Sequence, residues 1–257
     1  MKIVVLVKQV FDKDSNINVS ADGSLSNRDD LTLTTNECDS YALEEALQIK
    51  EQKSGEVIVV SVGTDSVLTV IKDGLAKGAD KGLHIKTDNE ENLDALDLAN
   101  LIHFALKDEN VDLVLSGLQS DDKGFGQTGI LLAELMNLSH ASLVMGTEVQ
   151  EDNSVRIKRE LEAGWFQWVD LSLPASLTIQ SGINKPRYSS LRGIMMMKKK
   201  PIETKTVEEL GFSASQKSKV VKMYVPEKTK ETVYIHGSAN EIVDQLMDKF
   251  ANEIKVL

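Results

Sequence analysis

Val111-Asp112-Leu113-Val114-Leu115-Ser116-Gly117-Leu118-Gln119-Ser120-Asp121-Asp122-Lys123-Gly124-Phe125-Gly126-Gln127-Thr128-Gly129 begins as an aliphatic run, crosses a polar glycine-bearing loop and ends where an apolar helical pattern starts. A buried-type strand feeding a helix through such a loop is the building block of a parallel sheet. Working outward, residues 3–7 and 57–62 are uninterrupted β-branched and aliphatic runs of the same kind, suited to parallel strands covered on both faces. Helical spacing lies between them, over 37–53 with Tyr41, Ala42, Ala46, Leu47 and Ile49 on one face, over 65–77 and over 93–106. A weaker strand at 83–86 completes the alternation, and Gly55, Gly63, Gly78 and Gly82 punctuate it. The expectation is an α/β, Rossmann-like fold with a mainly parallel sheet.

After about Ser142 the rhythm changes to strands at 143–149, 155–161, 166–171 and 176–179 with no long helix between them. The simplest topology adds an antiparallel or mixed edge to the same sheet, a small separate subdomain being the alternative. Residues 1–200 then form the main α/β body, including an irregular basic loop over 183–200. Residues 201–230 are polar with weak periodicity and a short helical tendency at 207–210, and they read as an interaction arm or a segment that orders on a partner. Residues 231–257 offer a strand at 232–235 and a helix at 239–250 with Ile242, Val243, Leu246, Met247 and Phe250 on one side, returning to the body.

Composition narrows the function. Among 257 residues, 29 Lys and Arg against 40 Asp and Glu give a formal charge of −11, which argues against nucleic acid or an anionic membrane as the general partner. No run is long and apolar enough for a membrane span. One cysteine, Cys38, excludes an internal disulfide, and four scattered histidines offer no clustered soft-metal site. With no leader pattern at the start, the cytoplasm is the expected compartment.

The loop after residue 115 is the strongest candidate for chemistry. Helix-start amides, the Thr128 hydroxyl and the small residues around Gly129 suit an anionic phosphate at a strand's carboxyl end, although neither GxGxxG nor GxxxxGK[ST] is present and an ordinary connecting loop has the same look. Three further loops converge on such a crevice in this fold: Val7-Lys8-Gln9, Asn36-Glu37-Cys38-Asp39 and Ser61-Val62-Gly63-Thr64. Taken singly, Asn36 and Asp39 read as helix caps, Lys8 as solvated, and Cys38 as a semi-buried helix residue with no histidine to activate it. A second concentration runs from Ile183 to Pro201, where residues 181–205 carry seven Lys or Arg and one Glu. Leu191, bracketed by Arg187 and Arg192, suits an apolar protein contact with charge steering, a solvated loop being the plain alternative. Trp165 and Trp168 read as packing residues of a strand or hairpin. No Ser-His-Asp or Cys-His arrangement is legible, so no catalytic or metal residue is assigned.

With these residues in order, the chain resembles the beta, or small, subunit of electron transfer flavoproteins over nearly its full length. The resemblance is carried by Val7-Lys8-Gln9, Asn36-Glu37-Cys38-Asp39, Leu43-Glu44-Glu45-Ala46-Leu47, Ser61-Val62-Gly63, Leu75-Ala76-Lys77-Gly78-Ala79-Asp80, Gln119–Gly129 and Asn184-Lys185-Pro186-Arg187-Tyr188 followed by Leu191, Ile194 and Lys198-Lys199-Lys200-Pro201. It implies an electron-carrier subunit rather than a stand-alone enzyme. Its partner would be an alpha subunit holding most of the FAD, with AMP in this chain's own crevice. It also implies electrons arriving from a flavoprotein dehydrogenase, such as an acyl-CoA or amine dehydrogenase, and leaving to a quinone reductase or related acceptor. The implied nucleotide residues are Val7, Lys8, Asn36, Asp39, Ser61, Val62, Gly63, Gln119, Asp122, Gln127, Thr128 and Gly129. The implied docking residues are Arg187, Tyr188, Leu191, Arg192 and Ile194, and the arm would embrace alpha. Electron-bifurcating, NADH-dependent relatives put a second FAD in place of AMP and typically carry Asp-Gly-Asp-Thr-Ala-Gln-Val-Gly. The different loop here favours AMP, while a non-redox AMP sensor is the reading from another class.

Overall fold

The computed structural model describes residues 1–27, 30–88, 90–227 and 229–256. Nine strands among them form one sheet in the order β11-β5-β4-β1-β6-β10-β7-β8-β9, where β1 is Lys2–Leu6, β4 Glu56–Gly63, β5 Lys81–Lys86, β6 Leu113–Gly117, β7 Ser139–Val149, β8 Ser154–Glu160, β9 Phe166–Ser172, β10 Ala175–Ile179 and β11 Ile202–Thr206. Every pairing from β11 to β7 is parallel, and the last two are antiparallel. The sheet is therefore continuous, and the 143–179 region is a mixed edge of it rather than a separate unit. A small antiparallel ribbon of β2, Gln9–Phe11, and β3, Leu33–Thr35, stands beside it.

Helices cover both faces because the central strands are apolar at every position. Ile3, Val5, Val57 and Val59 point to the layer of α1, Glu37–Lys53, and α2, Leu68–Lys77. Val4, Leu6, Ile58 and Val60 point the other way, to α3, Ala95–Leu106, and α4, Thr128–Leu135. The period-two alternation that would leave a face wet is missing, so both faces must be covered. Neighbouring strands β1 and β6 feed helices on opposite faces, α1 and α4, which opens a crevice beyond their carboxyl ends.

The region after residue 180 departs from the sequence expectation in four places. The basic loop contains a short helix, α5, Leu191–Met197, which Ser190 caps by accepting the Gly193 amide at 3.0 Å. It lies so close to α2 that a Cβ at Gly193 would fall 2.1 Å from the Ala76 carbonyl oxygen, so only glycine fits. Residues 202–206, expected in the arm, are β11, the parallel edge strand beside β5. Lys200 directs the chain there by donating to the Leu75 and Ala79 carbonyls at 2.9 and 2.5 Å. Residues 207–211 form turns rather than a helix, and residues 232–235 have no regular secondary structure, since no strand lies alongside to complete their backbone pairing.

Beyond Phe212 the chain runs extended over the body. The Ser215 amide donates to Asp97, and those of Lys217 and Ser218 donate to Asp94, at 2.9, 2.6 and 3.1 Å. Further on, Val221, Tyr224, Val225, Val233 and Tyr234 stand exposed. The last helix, α6, Ala239–Asp248, starts with a capping box between Ser238 and Glu241 and continues as a π-helical turn over Lys249–Ile254. None of its residues is buried, and Val243, Met247 and Phe250 face solvent. At the other edge, Arg156 lies over the Trp168 ring at 5.2 Å and Lys158 over Phe166 at 4.0 Å, while Trp165 is exposed on the β8–β9 turn.

Ile71 fixes α2 to the sheet, fully buried and pressed toward Gly82 of β5. Ile71→Ala should cost about 2–5 kcal/mol, read as a lowered midpoint in chemical denaturation followed by circular dichroism.

Candidate functional site

The crevice between β1 and β6 is built around two short side chains of the α1 start. Asp39 is buried and accepts two backbone N–H groups, Lys8 at the end of β1 and Gly117 at the end of β6, each at 2.8 Å. One carboxylate thus ties together the ends of the two strands that border the crevice. Burial is the main influence on it and pushes its carboxyl up to about 7, against the two amides that favour the charged form. Gly117 is required at that contact, because a Cβ there would lie 2.4 Å from Asp39 Oδ1.

Asn36 forms the second clasp. Its amide nitrogen donates to the Gln119 carbonyl at 2.9 Å, and its carbonyl oxygen accepts the Asp121 amide at 2.9 Å. Asp121 reciprocates by accepting the Glu37 amide at 3.0 Å, so α1 is capped by the 116–129 loop. Asn36 occupies the N-cap position without a side-chain capping bond, and Asp39 lies inside the first turns. The plain capping reading of these two residues is therefore corrected: both hold α1 to its neighbours. Lys8, also expected to be solvated, pairs with Asp122 at 2.6 Å, and this contact holds the Asp122 carboxyl below its usual range although burial acts the other way.

The loop lies against α4 just as tightly. A Cβ on Gly129 would come within 2.4 Å of Ser116 Oγ and 2.8 Å of Thr178 Cγ2, so the first turn of α4 is seated directly on β6 and β10. Gln127 precedes that turn and gives it no side-chain cap. First-turn amides without a side-chain acceptor present partial positive charge to whatever lies in the crevice. The hydroxyls of Ser61 and Ser116 are buried in the same place with no hydrogen-bond partner among the described residues.

A single cleft collects Val7, Lys8, Asn36, Asp39, Ser61, Val62, Gln119, Gln127, Thr128 and Gly129. Two of the sequence-expected residues stand apart from its lining. Gly63 closes β4 with its carbonyl taken by His84 Nε2 and the Thr87 amide, and Asp122 acts through Lys8. The cleft is also lined by Lys123 and Phe125 of the candidate loop, which the sequence does not assign individually, and by an apolar wall of Leu93 with Ala95, Leu98 and Ile102 of α3. In the sequence these residues belong only to a helical pattern over 93–106, and the crossing of α3 over the crevice is what places them at the cleft. Cys38 is buried, and its thiol is raised by that burial, which makes it unreactive. Among the described residues no group of three or more His, Cys, Asp or Glu is placed to hold a metal ion, and no helix is long and apolar enough to cross a membrane.

The fold and the cleft define the class first: a doubly wound α/β chain with its cleft at the carboxyl ends of parallel strands. The particular family follows from comparison. Residues 27–210 match the family described as electron transfer flavoprotein domain. The chain is similar to the electron transfer flavoprotein subunit beta of Methylophilus methylotrophus, 39% identical over 264 residues and 99% of each chain. It is likewise similar to that of Bradyrhizobium diazoefficiens, 36% identical over the whole of both chains, and to the mitochondrial one of Arabidopsis thaliana, 33% identical over the whole of both. The chain belongs to the electron transfer flavoprotein family, as a beta subunit. Its role is electron transfer as part of a flavoprotein.

The raised Asp39 carboxyl has a measurable consequence. A carboxyl that titrates near 7 when folded and near 4 when unfolded favours the folded state fully below pH 4, a contribution lost as pH rises through 7. Unfolding free energies measured from pH 4 to 8 should therefore fall for the natural protein relative to Asp39→Asn, whose curve lacks that slope.

Proposed function

We propose that this chain pairs with an alpha subunit, that FAD held mainly by alpha carries the electrons, and that the cleft of this chain takes AMP. FAD supplies the redox chemistry when bound; the chain described here contributes binding, orientation and docking. The observation that carries the AMP reading is the pair of unpartnered buried hydroxyls, Ser61 and Ser116, facing a cleft that also receives the uncapped first turn of α4. A phosphate gives these donors an acceptor, and the apolar α3 wall gives a flat base a surface to lie on. The loop Asp121-Asp122-Lys123-Gly124-Phe125-Gly126-Gln127-Thr128-Gly129 supports AMP over a second FAD by its departure from the bifurcating pattern. The cytoplasm is the proposed compartment.

Docking of a flavoprotein dehydrogenase is assigned to the 183–200 loop. Its root is tightly held: Asn184 donates to Glu45 at 2.8 Å, and Arg187 reaches both Glu44 and Glu51 on α1, at 2.8 and 2.5 Å. Arg187 therefore anchors the loop, and the charges left for steering are Lys185, Arg192, Lys198 and Lys199. On this fixed base stand Tyr188 and Leu191, 94% and 84% exposed, with Ile194 and Met195 behind them. Apolar side chains on a pre-ordered base lose little freedom on binding, which suits brief and repeated encounters. A quinone reductase or related acceptor receives the electrons.

Counting cofactors released from the purified α–β complex tests the assignment, with one FAD and one AMP per heterodimer expected; two FAD and no AMP would replace it with the bifurcating reading. For docking, Leu191→Ala should slow electron transfer from an acyl-CoA or amine dehydrogenase by about tenfold or more at unchanged FAD content, as expected of a central apolar anchor. Stopped-flow reduction of the complex measures it, and an unchanged rate would remove Leu191 from the docking surface.

A further inference from the structure

Two lysines line the cleft, and they are held differently. Lys8 is committed to Asp122. Lys123 borders the same cleft, and among the described residues its ammonium has neither a hydrogen-bond acceptor nor a carboxylate within ion-pair distance; only its backbone amide is engaged, with Asp122. A partly buried ammonium gives up some of its hydration, and an anion in direct contact would offset that loss. Its pKa is lowered, by burial first and by the charge of Lys8 second, with Asp122, Glu90 and Asp94 acting the other way. Glu90 borders the same cleft, and among the described residues no carboxylate makes direct contact with this ammonium.

The same cleft lacks acceptors at three more points. Ser61 and Ser116, 2% and 6% exposed, have hydroxyls with no partner, and the first turn of α4 has no side-chain cap. Hydroxyls, helix-start amides and an ammonium are the donor set of a phosphate, and their assembly before binding removes the cost of gathering them. We propose that Lys123 is a phosphate-binding residue of the nucleotide cleft, where its ammonium, with Lys8 and the first turn of α4, makes the cleft select nucleotides over nucleosides by charge. The inference rests on the AMP reading above and adds to it the residue that reads the phosphate. It lies within a loop where the sequence reading assigned Asp122 and Gln127 and passed over the lysine between them.

The test is calorimetric titration of the purified α–β complex, dialysed free of nucleotide, with AMP and separately with adenosine. Lys123→Ala should weaken AMP on the order of tenfold to a hundredfold, the range of a lost charge-assisted contact, while leaving adenosine binding and FAD content unchanged. Lys123→Arg should restore most of the AMP affinity. The natural protein should also lose AMP affinity at alkaline pH before Lys123→Arg does, since only the lysine deprotonates there. AMP binding by Lys123→Ala within twofold of the natural protein would overturn the proposal and leave the AMP reading standing. Equal losses for AMP and adenosine would overturn it too, by showing that Lys123 only shapes the cleft. If the natural complex binds no AMP, both readings fall together.

Discussion

Everything at the functional edge of this molecule depends on the buried Asp39 carboxylate accepting one amide from the end of β1 and one from the end of β6. Two parallel strands that send their helices to opposite faces leave their final amides without ladder partners. Water would fill such a gap unless a side chain did. Asp39 meets that need from the first turns of α1, and Gly117 gives it room. The cleft is then a by-product of a backbone requirement: satisfying the strand ends with one short carboxylate leaves an open space above it. Asn36 repeats the solution one layer out, holding the 116–129 loop by its backbone rather than by any side chain of that loop.

The parallel half of the fold was legible because its strands are buried on both sides. Residues 3–7 and 57–62 are apolar at every position, a pattern that little except a covered parallel strand produces, and the structure places β1 and β4 there within a residue or so. Where local pattern weakens, so does the reading. Residues 202–206, Ile-Glu-Thr-Lys-Thr, carry one apolar side chain on a sheet edge, and what makes them β11 is the neighbouring β5 together with the bonds Lys200 makes to α2 and the turn after it. The composite cleft was legible in its loops, since strand-end loops must gather in this topology. The α3 wall was not, because Leu98 and Ile102 look the same whether they face core or ligand. Asn36 and Asp39 were placed correctly in the chain and misread locally, as caps, since their true partners lie about 80 residues away.

The two exposed apolar regions are held in opposite ways. The loop around Leu191 is fixed at its root by Arg187 between two glutamates and by Gly193 against α2, so its crest is presented in one geometry. The segment after Phe212 is rooted by hydrogen bonds at Asp94 and Asp97 and passes close to Gly23 at Lys222 and Met223, with its apolar side chains largely exposed. A rigid crest suits a contact that forms and breaks quickly. A long extended segment suits one that forms and stays, because its ordering is costly and is regained over a large area.

That rooting gives Asp94 two tasks. One oxygen accepts the Leu96 and Asp97 amides and so starts α3, whose side chains wall the cleft; the other accepts the amides of Lys217 and Ser218 and so starts the arm. The α6 face and the arm side chains of Val221, Tyr224 and Tyr234 remain uncovered on the single chain. A fold of this kind is a half-molecule in the sense of mass action: each tenfold rise in free partner above the dissociation constant adds about 1.4 kcal/mol to its stability. A shortfall of that partner leaves the α6 face and the arm in water, and the stability it would have added is then absent.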